Sequence, residues 1–366
     1  MDIPFLGTSV VAFIAVFSAL VFFHELGHFW VARRFGIRID AFSIGFGPVL
    51  WSRRDRHGTQ WRISALPLGG YVKFAGDASV ASNASADIDS MSDEDKRDCF
   101  HFRPVHQRAL VTLAGPVANF LLAFVIFTVM FMVVGQRFTA PVVDAVVADT
   151  AAAAAGFQKE DRILEVDGTR IRSFEEMRDL VAMNAGKEMT FAVQRGESLL
   201  HIAATPRLQA QGSSKLGVLG IRSQRMEIVK RGPLDAMWHA GIEIRDKSIM
   251  MLRVVGEIIG GDRSVKDLGG PIKIAEVSGE VAQVSLLSLV MLTAFLSINL
   301  GLINLFPIPM LDGGHLLYYA FEAVRGRPLD EKVQEYGFRV GMVLVLLMMV
   351  VVTWNDLVGM VSRIQS

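Results

Sequence analysis

His24-Glu25-Leu26-Gly27-His28 sets two imidazoles four residues apart, with a carboxylate directly after the first. On a helix this spacing brings both rings to one face, about 6 Å apart along the axis. Two ring nitrogens so placed can reach one ion with bonds of about 2.0–2.1 Å. Glu25 falls on an adjoining face, where it can take a proton from water that the ion activates. Zinc lowers the pKa of such water from about 15.7 to roughly 7, so a carboxylate is base enough. The pattern is that of zinc-dependent peptide hydrolysis. Five-residue patterns of this kind also arise by chance in soluble proteins. Here, however, the motif lies near the end of a long apolar run. A charged residue at the centre of such a helix costs roughly 2.5–3.5 kcal/mol on insertion scales, so ionisable groups there need a partner or a ligand.

Two histidines do not complete a site, since catalytic zinc usually has three protein ligands and an open position. The single cysteine, Cys99, excludes an intrachain disulfide and a cysteine-only metal cluster. The third ligand is sought in Asn304-Leu305-Phe306-Pro307-Ile308-Pro309-Met310-Leu311-Asp312-Gly313-Gly314-His315. Pro307 and Pro309 break the helix there, and freed backbone is tolerated in a membrane only when buried in protein or lining a wet cavity. Asp312 is the candidate, and a helix cap is its alternative role. His315 is the rival ligand, or a group that orients Asp312. Asn299 and Asn304 are polar groups in an apolar run, suited to binding substrate backbone or an oxyanion, or to ordinary interhelical bonding. Asn304, nearest the break, is favoured. In Gly115-Pro116-Val117-Ala118-Asn119 the glycine permits close helix approach, and Asn119 can hydrogen-bond into the site or fix packing, of which packing is favoured.

The chain that must position these groups has 366 residues, 51% hydrophobic and 20% charged, with no formal net charge. Its mean hydropathy is +0.38. That is too apolar for an ordinary soluble enzyme, and nothing in the charge balance points to nucleic acid. Four runs, 3–32, 109–135, 286–311 and 337–357, reach the ~20 residues needed to cross about 30 Å of hydrocarbon. The first lacks a basic start and a small-residue cleavage site, so it is not read as a signal peptide. Arginines and a lysine flank the first two runs and fill the loop between the last two, among them Arg33, Arg34, Arg53, Arg54, Arg56, Arg325, Arg327 and Lys332. The positive-inside rule places those loops in the cytoplasm, and both chain ends and the 136–285 region outside.

Between the spans, Ile37–Phe46 and Trp61–Phe74 read as strands, with Gly45-Phe46-Gly47-Pro48 and Pro67-Leu68-Gly69-Gly70 as turns. Residues 77–98 read as a mobile surface loop. Residues 140–222 read as a small α+β domain. Its expected parts are a strand over 142–147, a short helix ending at Gly156, a strand running into Asp167-Gly168, a helix capped by Ser173, and strands over 189–195 and 199–205. Residues 233–262 carry too many charges to span and read as an amphipathic helix against the membrane or the other helices.

These motifs together resemble the site-2 protease family of intramembrane metalloproteases, in its bacterial form. The resemblance rests on His24 to His28, Pro67-Leu68-Gly69-Gly70-Tyr71-Val72-Lys73, Pro104 to Arg108 leading into Ala114 to Asn119, Gly269-Gly270-Pro271-Ile272, and Asn304 to His315. It implies zinc held by His24, His28 and Asp312, Glu25 as general base, and a role for Asn304 in substrate or transition-state binding. It implies that 37–76 form a membrane-associated β-hairpin that pairs with unwound substrate. Ala154-Ala155-Gly156-Phe157 and Asp161 to Gly168 resemble a circularly permuted bacterial PDZ domain, present once where better-known relatives carry two, with Lys159-Glu160-Asp161 in place of Pro-Gly-Asp.

The expected architecture is an α-helical polytopic membrane protein with four transmembrane helices, a membrane-associated β-hairpin region and an inserted α+β PDZ domain. The expected segments are 1–36 (first span), 37–108 (hairpin and loop), 109–135 (second span), 136–225 (PDZ domain), 226–285 (amphipathic region), 286–315 (third span), 316–336 (cytoplasmic loop) and 337–366 (fourth span). The resemblance implies a bacterial inner-membrane endopeptidase with its active site toward the cytoplasm and its PDZ domain in the periplasm. Its partners would be the bilayer, peptide ends at the PDZ domain, and single-span substrates already trimmed outside, such as an anti-sigma factor or remnant signal peptides. Two other classes compete. A PDZ adaptor with structural zinc would need a closed site of four protein ligands. A zinc transporter would need several intramembrane carboxylates along a path, and few are present.

Overall fold

The computed structural model describes residues 3–77, 92–211, 214–262, 264 and 269–365. Most of the loop expected over 77–98 lies outside the described residues. Its last part is ordered as a short helix, α2 (Asp93–Asp98), because the Ser92 hydroxyl accepts from the Asp95 amide and caps it. The chain divides into two compact units, Met1–Thr128 with Met237–Ser366, and Val129–Ala236.

The first unit opens with α1 (Ile3–Arg34), followed by the strands β1 (Ile39–Arg54) and β2 (Gln60–Phe74). The turns expected at 45–48 and 67–70 are absent. Gly45 and Gly47 take φ of +87° and +82°, and Gly69 takes +138°. These left-handed residues bulge the strands without ending them. At Gly45 a side chain would stand 2.7 Å from the Leu66 carbonyl oxygen, so glycine also allows the close approach. The chain turns instead at Asp55–Thr59. Asp55 Oδ1 accepts from the His57 and Thr59 amides at 2.9 and 3.0 Å, and Oδ2 from Arg33 at 2.9 Å and Trp61 at 3.3 Å. Partial burial raises the Asp55 pKa, but these donors outweigh it and hold the carboxyl below its ordinary range. The long hairpin doubles back: Phe42 stands opposite Val72 on one side and Trp61 on the other. Phe42 is fully buried, in edge contacts with Phe22 and Phe29. A single apolar cluster, including Phe29, Ala32, Ile39, Phe42, Val72, Phe74, Phe100 and Val111, fixes the hairpin to the end of α1 and the start of the next long helix.

That helix is α3 (Val105–Val133), and it leads into the second unit. There β3 (Gln136–Thr139) and β4 (Ala145–Val146) precede α4 (Ala151–Ala155), whose left-handed cap is Gly156. Next come β5 (Arg162–Val166), β6 (Thr169–Arg170), α5 (Phe174–Met183, capped by Ser173), β7 (Met189–Arg195) and β8 (Ser198–Ala204). They form an antiparallel sheet in the order β6-β5-β7-β8. Asp167 and Gly168, both at positive φ, make the two-residue turn between β5 and β6. The strands β9 (Arg207–Gln211) and β10 (Ser214–Val218) pair with each other, β11 (Ile221–Arg222) with β4, and β12 (Met226–Val229) with β3. The strand expected over 142–147 shortens to β4, because this stretch changes partner along its length. Val143 donates to Asp161 and Val147 to Gly220. Val143, Ile163, Val166, Phe191 and Val193 centre the core.

Helix α6 (Pro233–Gly260) returns the chain to the first unit, as one continuous amphipathic helix. Then follow α7 (Pro271–Val284), α8 (Leu286–Asn304), α9 (Asp312–Arg325) and α10 (Glu331–Gln365). The Gly269-Gly270-Pro271 motif starts α7. Asp356 of α10 accepts from the amides of Gly270 and Lys273, each at 3.0 Å, and so satisfies donors that a helix start leaves free. Within the cytoplasmic connection expected over 316–336, α9 continues to Arg325 and is ended by Gly326 at φ +76°, and α10 begins at Glu331. Among the described residues, four helices are long and apolar enough to cross a membrane: Gly7–Arg34, Val105–Val133, Leu286–Asn304 and Lys332–Gly359. The shortest, at 19 residues, extends about 28 Å, close to one hydrocarbon thickness.

Candidate active site

Helix α1 needs small neighbours to bring its histidines against α3. Gly27 supplies one contact, since a methyl there would overlap the Ala114 carbonyl oxygen. Gly115 supplies the other. A methyl on it would overlap His28 Nε2 and lie 2.9 Å from His24 Cε1. Val111, Gly115 and Asn119 recur every four residues on α3 and so form one stripe. The stripe runs beside His28 and His24 in reverse order. The Val111 carbonyl lies 2.8 Å from His28 Nδ1, and the Asn119 amide nitrogen 3.1 Å from His24 Nδ1. The Val111 carbonyl can only accept, so His28 Nδ1 carries the proton and Nε2 keeps its lone pair.

Asp312 opens α9. Pro307 and Pro309 end the helical path after Asn304, and Met310 adopts φ +97°, a conformation that non-glycine residues rarely take. Gly313 and Gly314 then let the first turn of α9 fold onto this loop, since side chains there would overlap the carbonyls of Leu305 and Ile308. Further along α9, Glu322 pairs with Arg108 of α3 at 2.5 Å, and the Arg108 guanidinium lies 4.9 Å from the Tyr319 ring centroid. The helix that carries Asp312 is thereby tied to the helix that lines the histidines.

The outcome is convergence. His24 Nε2 lies 3.3 Å from His28 Nε2, and Asp312 Oδ2 lies 3.2 Å from the first and 3.6 Å from the second. Donor atoms at two corners of a zinc tetrahedron with bonds of about 2.0–2.1 Å stand about 3.3 Å apart. Asp312 Oδ2 is buried and accepts no hydrogen bond, an orphan that a cation would satisfy. Among the described residues, the one group of three or more potential ligands is His24, His28 and Asp312. The residues present therefore fit a zinc ion. His315 is not in that group but lines the same cavity, of about 200 Å³.

Glu25 and Asn304 also line this cavity, whereas Asn299 is not among its lining residues. Gly70, Tyr71, Val72 and Phe74 of β2 form another part of the wall. Glu25 accepts a hydrogen bond from the Val72 backbone. Cys99 is buried against the Ala75 carbonyl oxygen and is absent from the lining. The Val111 carbonyl carries no signal in its own side chain, and of the two roles open to Asn119 the contact with His24 is the one that packing had been favoured over. The four-residue recurrence of 111, 115 and 119 is the signal that could have linked them.

Gly115→Ala is expected to weaken zinc binding about 10–100-fold, because overpacking of this kind costs roughly 1–3 kcal/mol. Chelator competition on the purified variant measures it. Unchanged affinity would mean that Gly115 does not set the imidazole positions.

Long apolar helices, an exposed ribbon and a His, His, carboxylate cluster with glutamate alongside define a membrane metalloprotease. Residues 12–348 match the description Peptidase family M50, and the chain belongs to that family. It is similar to the metalloprotease MmpA of Caulobacter vibrioides, 41% identical over 377 residues and covering 95% of each chain. A relative from Agrobacterium fabrum, 39% identical over 368 residues and 98% of each chain, carries "zinc metalloprotease" in its name. The regulator of sigma-E protease RseP of Salmonella typhimurium is 29% identical over 453 residues, 95% of this chain and 98% of that one. The chain is thus a zinc metalloprotease. Among solved structures, the PDZ domain of an SdrC-like protein from Listeria monocytogenes matches 24% of this chain and 88% of its own, at 22% identity and a TM-score of 0.20.

Proposed function

We propose that this protein is an intramembrane zinc endopeptidase that cuts single-span membrane proteins within or beside their apolar segment. The observation that carries the reading is the meeting of His24 Nε2, His28 Nε2 and Asp312 Oδ2 in a cavity that also holds Glu25 and one edge of β2. His24, His28 and Asp312 would hold the zinc, which supplies an acidified water and polarises the scissile carbonyl. Glu25 takes the proton from the attacking water and hands it to the departing amine. Asn304, at the last turn of α8, holds the substrate backbone or the developing oxyanion. No covalent enzyme intermediate is needed, in keeping with the placement of Cys99.

A peptide bond inside an intact helix is shielded, so the substrate must unwind before attack. Its freed backbone groups then need partners. Residues 70–74 of β2 border the cavity and can supply them by strand addition. The second unit reads as a PDZ domain that engages peptide ends, on the motifs Ala154 to Phe157 and Asp161 to Gly168 and the sheet built around them. By the positive-inside rule the arginine-rich loops support an orientation with the active site toward the cytoplasm and this unit outside. Substrates trimmed beforehand, anti-sigma factors among them, suit the likeness to a regulator of sigma-E.

The reading is tested in proteoliposomes with a single-span reporter whose outer part has been removed. Product ends should map to the apolar segment, cleavage should stop on chelation, and zinc should restore it. Ends that map outside that segment, or cleavage that persists without metal, would sink it.

A further inference from the structure

The side chain of Asn119 is fully buried on α3, and its contacts are incomplete as placed. Its Nδ2 lies 3.1 Å from His24 Nδ1, while its Oδ1 is buried without any hydrogen-bond partner. A neutral imidazole carries one proton, on one nitrogen only. With Asn119 Nδ2–H donating into Nδ1, the His24 proton must sit on Nε2. That is the atom facing Asp312 at 3.2 Å and His28 at 3.3 Å, so His24 could not offer a lone pair there. Half a turn of the amide exchanges its two nearly isosteric ends. Oδ1 then stands beside Nδ1 and accepts its proton, Nδ2 takes the place the oxygen had, and Nε2 is left with its lone pair aimed at the other two donor atoms.

We infer that Asn119 is the positioning residue for His24, its amide oxygen accepting from Nδ1–H and so selecting the tautomer that ligates through Nε2. It does for His24 what the Val111 carbonyl does for His28. Both constraints come from one stripe of α3, so both rings are oriented by one rigid element. The inference rests on the zinc-site reading above. A partner at the far nitrogen of a ligating histidine typically changes metal affinity 10–100-fold when removed.

The test compares zinc affinities of the full chain in detergent, by chelator competition, for Asn119→Leu, Asn119→Asp and His24→Ala. Leucine keeps the bulk and removes the acceptor, so affinity should fall 10–100-fold. Aspartate keeps an acceptor in place, so affinity should stay within about threefold of the parent. A packing role alone would leave zinc affinity alike in the two variants, so equal values overturn the inference. Should Asn119→Leu fail to fold, Asn119→Ala, which adds no atoms, replaces it. His24→Ala separates the two levels. If it retains parental affinity, the zinc-site reading itself falls. If it loses zinc while Asn119→Leu does not, only the role of Asn119 falls.

Discussion

Glu25→Gln should leave the zinc content of the purified protein unchanged and lower the rate of reporter cleavage by about 100- to 10,000-fold, the usual contribution of a general base. The two side chains have nearly the same shape, and the packing around position 25 is tight. A side chain added at Gly70 would come within 3.3 Å of Glu25 Cγ. Glutamine fits the same space and can still accept from the Val72 backbone. What it lacks is a site for the proton of the attacking water. Metal analysis with single-turnover kinetics on one preparation separates the two quantities. Cleavage undiminished in the variant would remove Glu25 from the mechanism. Loss of zinc together with activity would make it part of the metal's surroundings rather than the base.

Asp312→Ala should abolish stoichiometric zinc binding, with affinity lower by at least about 100-fold, or ~2.7 kcal/mol. The two imidazoles, 3.3 Å apart at their Nε2 atoms, would remain. Two ligands fall short of the three that catalytic zinc usually takes from protein. His315→Ala is the necessary companion, because His315 shares the cavity and lies three residues along α9. It should keep its zinc. The reverse pattern, zinc retained without Asp312 and lost without His315, would exchange their roles and refute the ligand set.

The parts of this site that were legible in the sequence were those whose chemistry is costly in an apolar setting. Histidines and a glutamate near the end of a span, and an aspartate after two prolines, need a reason to be there, and one bound ion would supply it. The spans and α6 were legible for a related reason, since length and charge density decide whether a helix can cross a bilayer. The hairpin was misread locally. Gly45, Gly47 and Gly69 look like turn residues, yet cross-strand pairing on both sides of Phe42 carries the strands through them. The reading of 316–336 rested on Arg325, Arg327 and Lys332, charges that mark a connection between spans without telling helix from irregular chain, so α9 was not drawn. Asn119 was undervalued because nothing in a single sequence tells which face of α3 meets α1. Only the docking of Gly27 against Ala114 and of Gly115 against the imidazoles fixes that rotation.

One contrast in the construction of the site bears on how it would be controlled. The histidines ride on a rod whose pitch sets their separation, and a second rod braces them from behind. The carboxylate instead hangs from a contorted bend at Met310, pinned by prolines and glycines. Rods resist small displacements, whereas a strained bend has a neighbouring conformation within reach. A signal that idles this enzyme by withdrawing the aspartate would have to act at that bend and at the Arg108–Glu322 pair together, while the paired imidazoles stay where they stand.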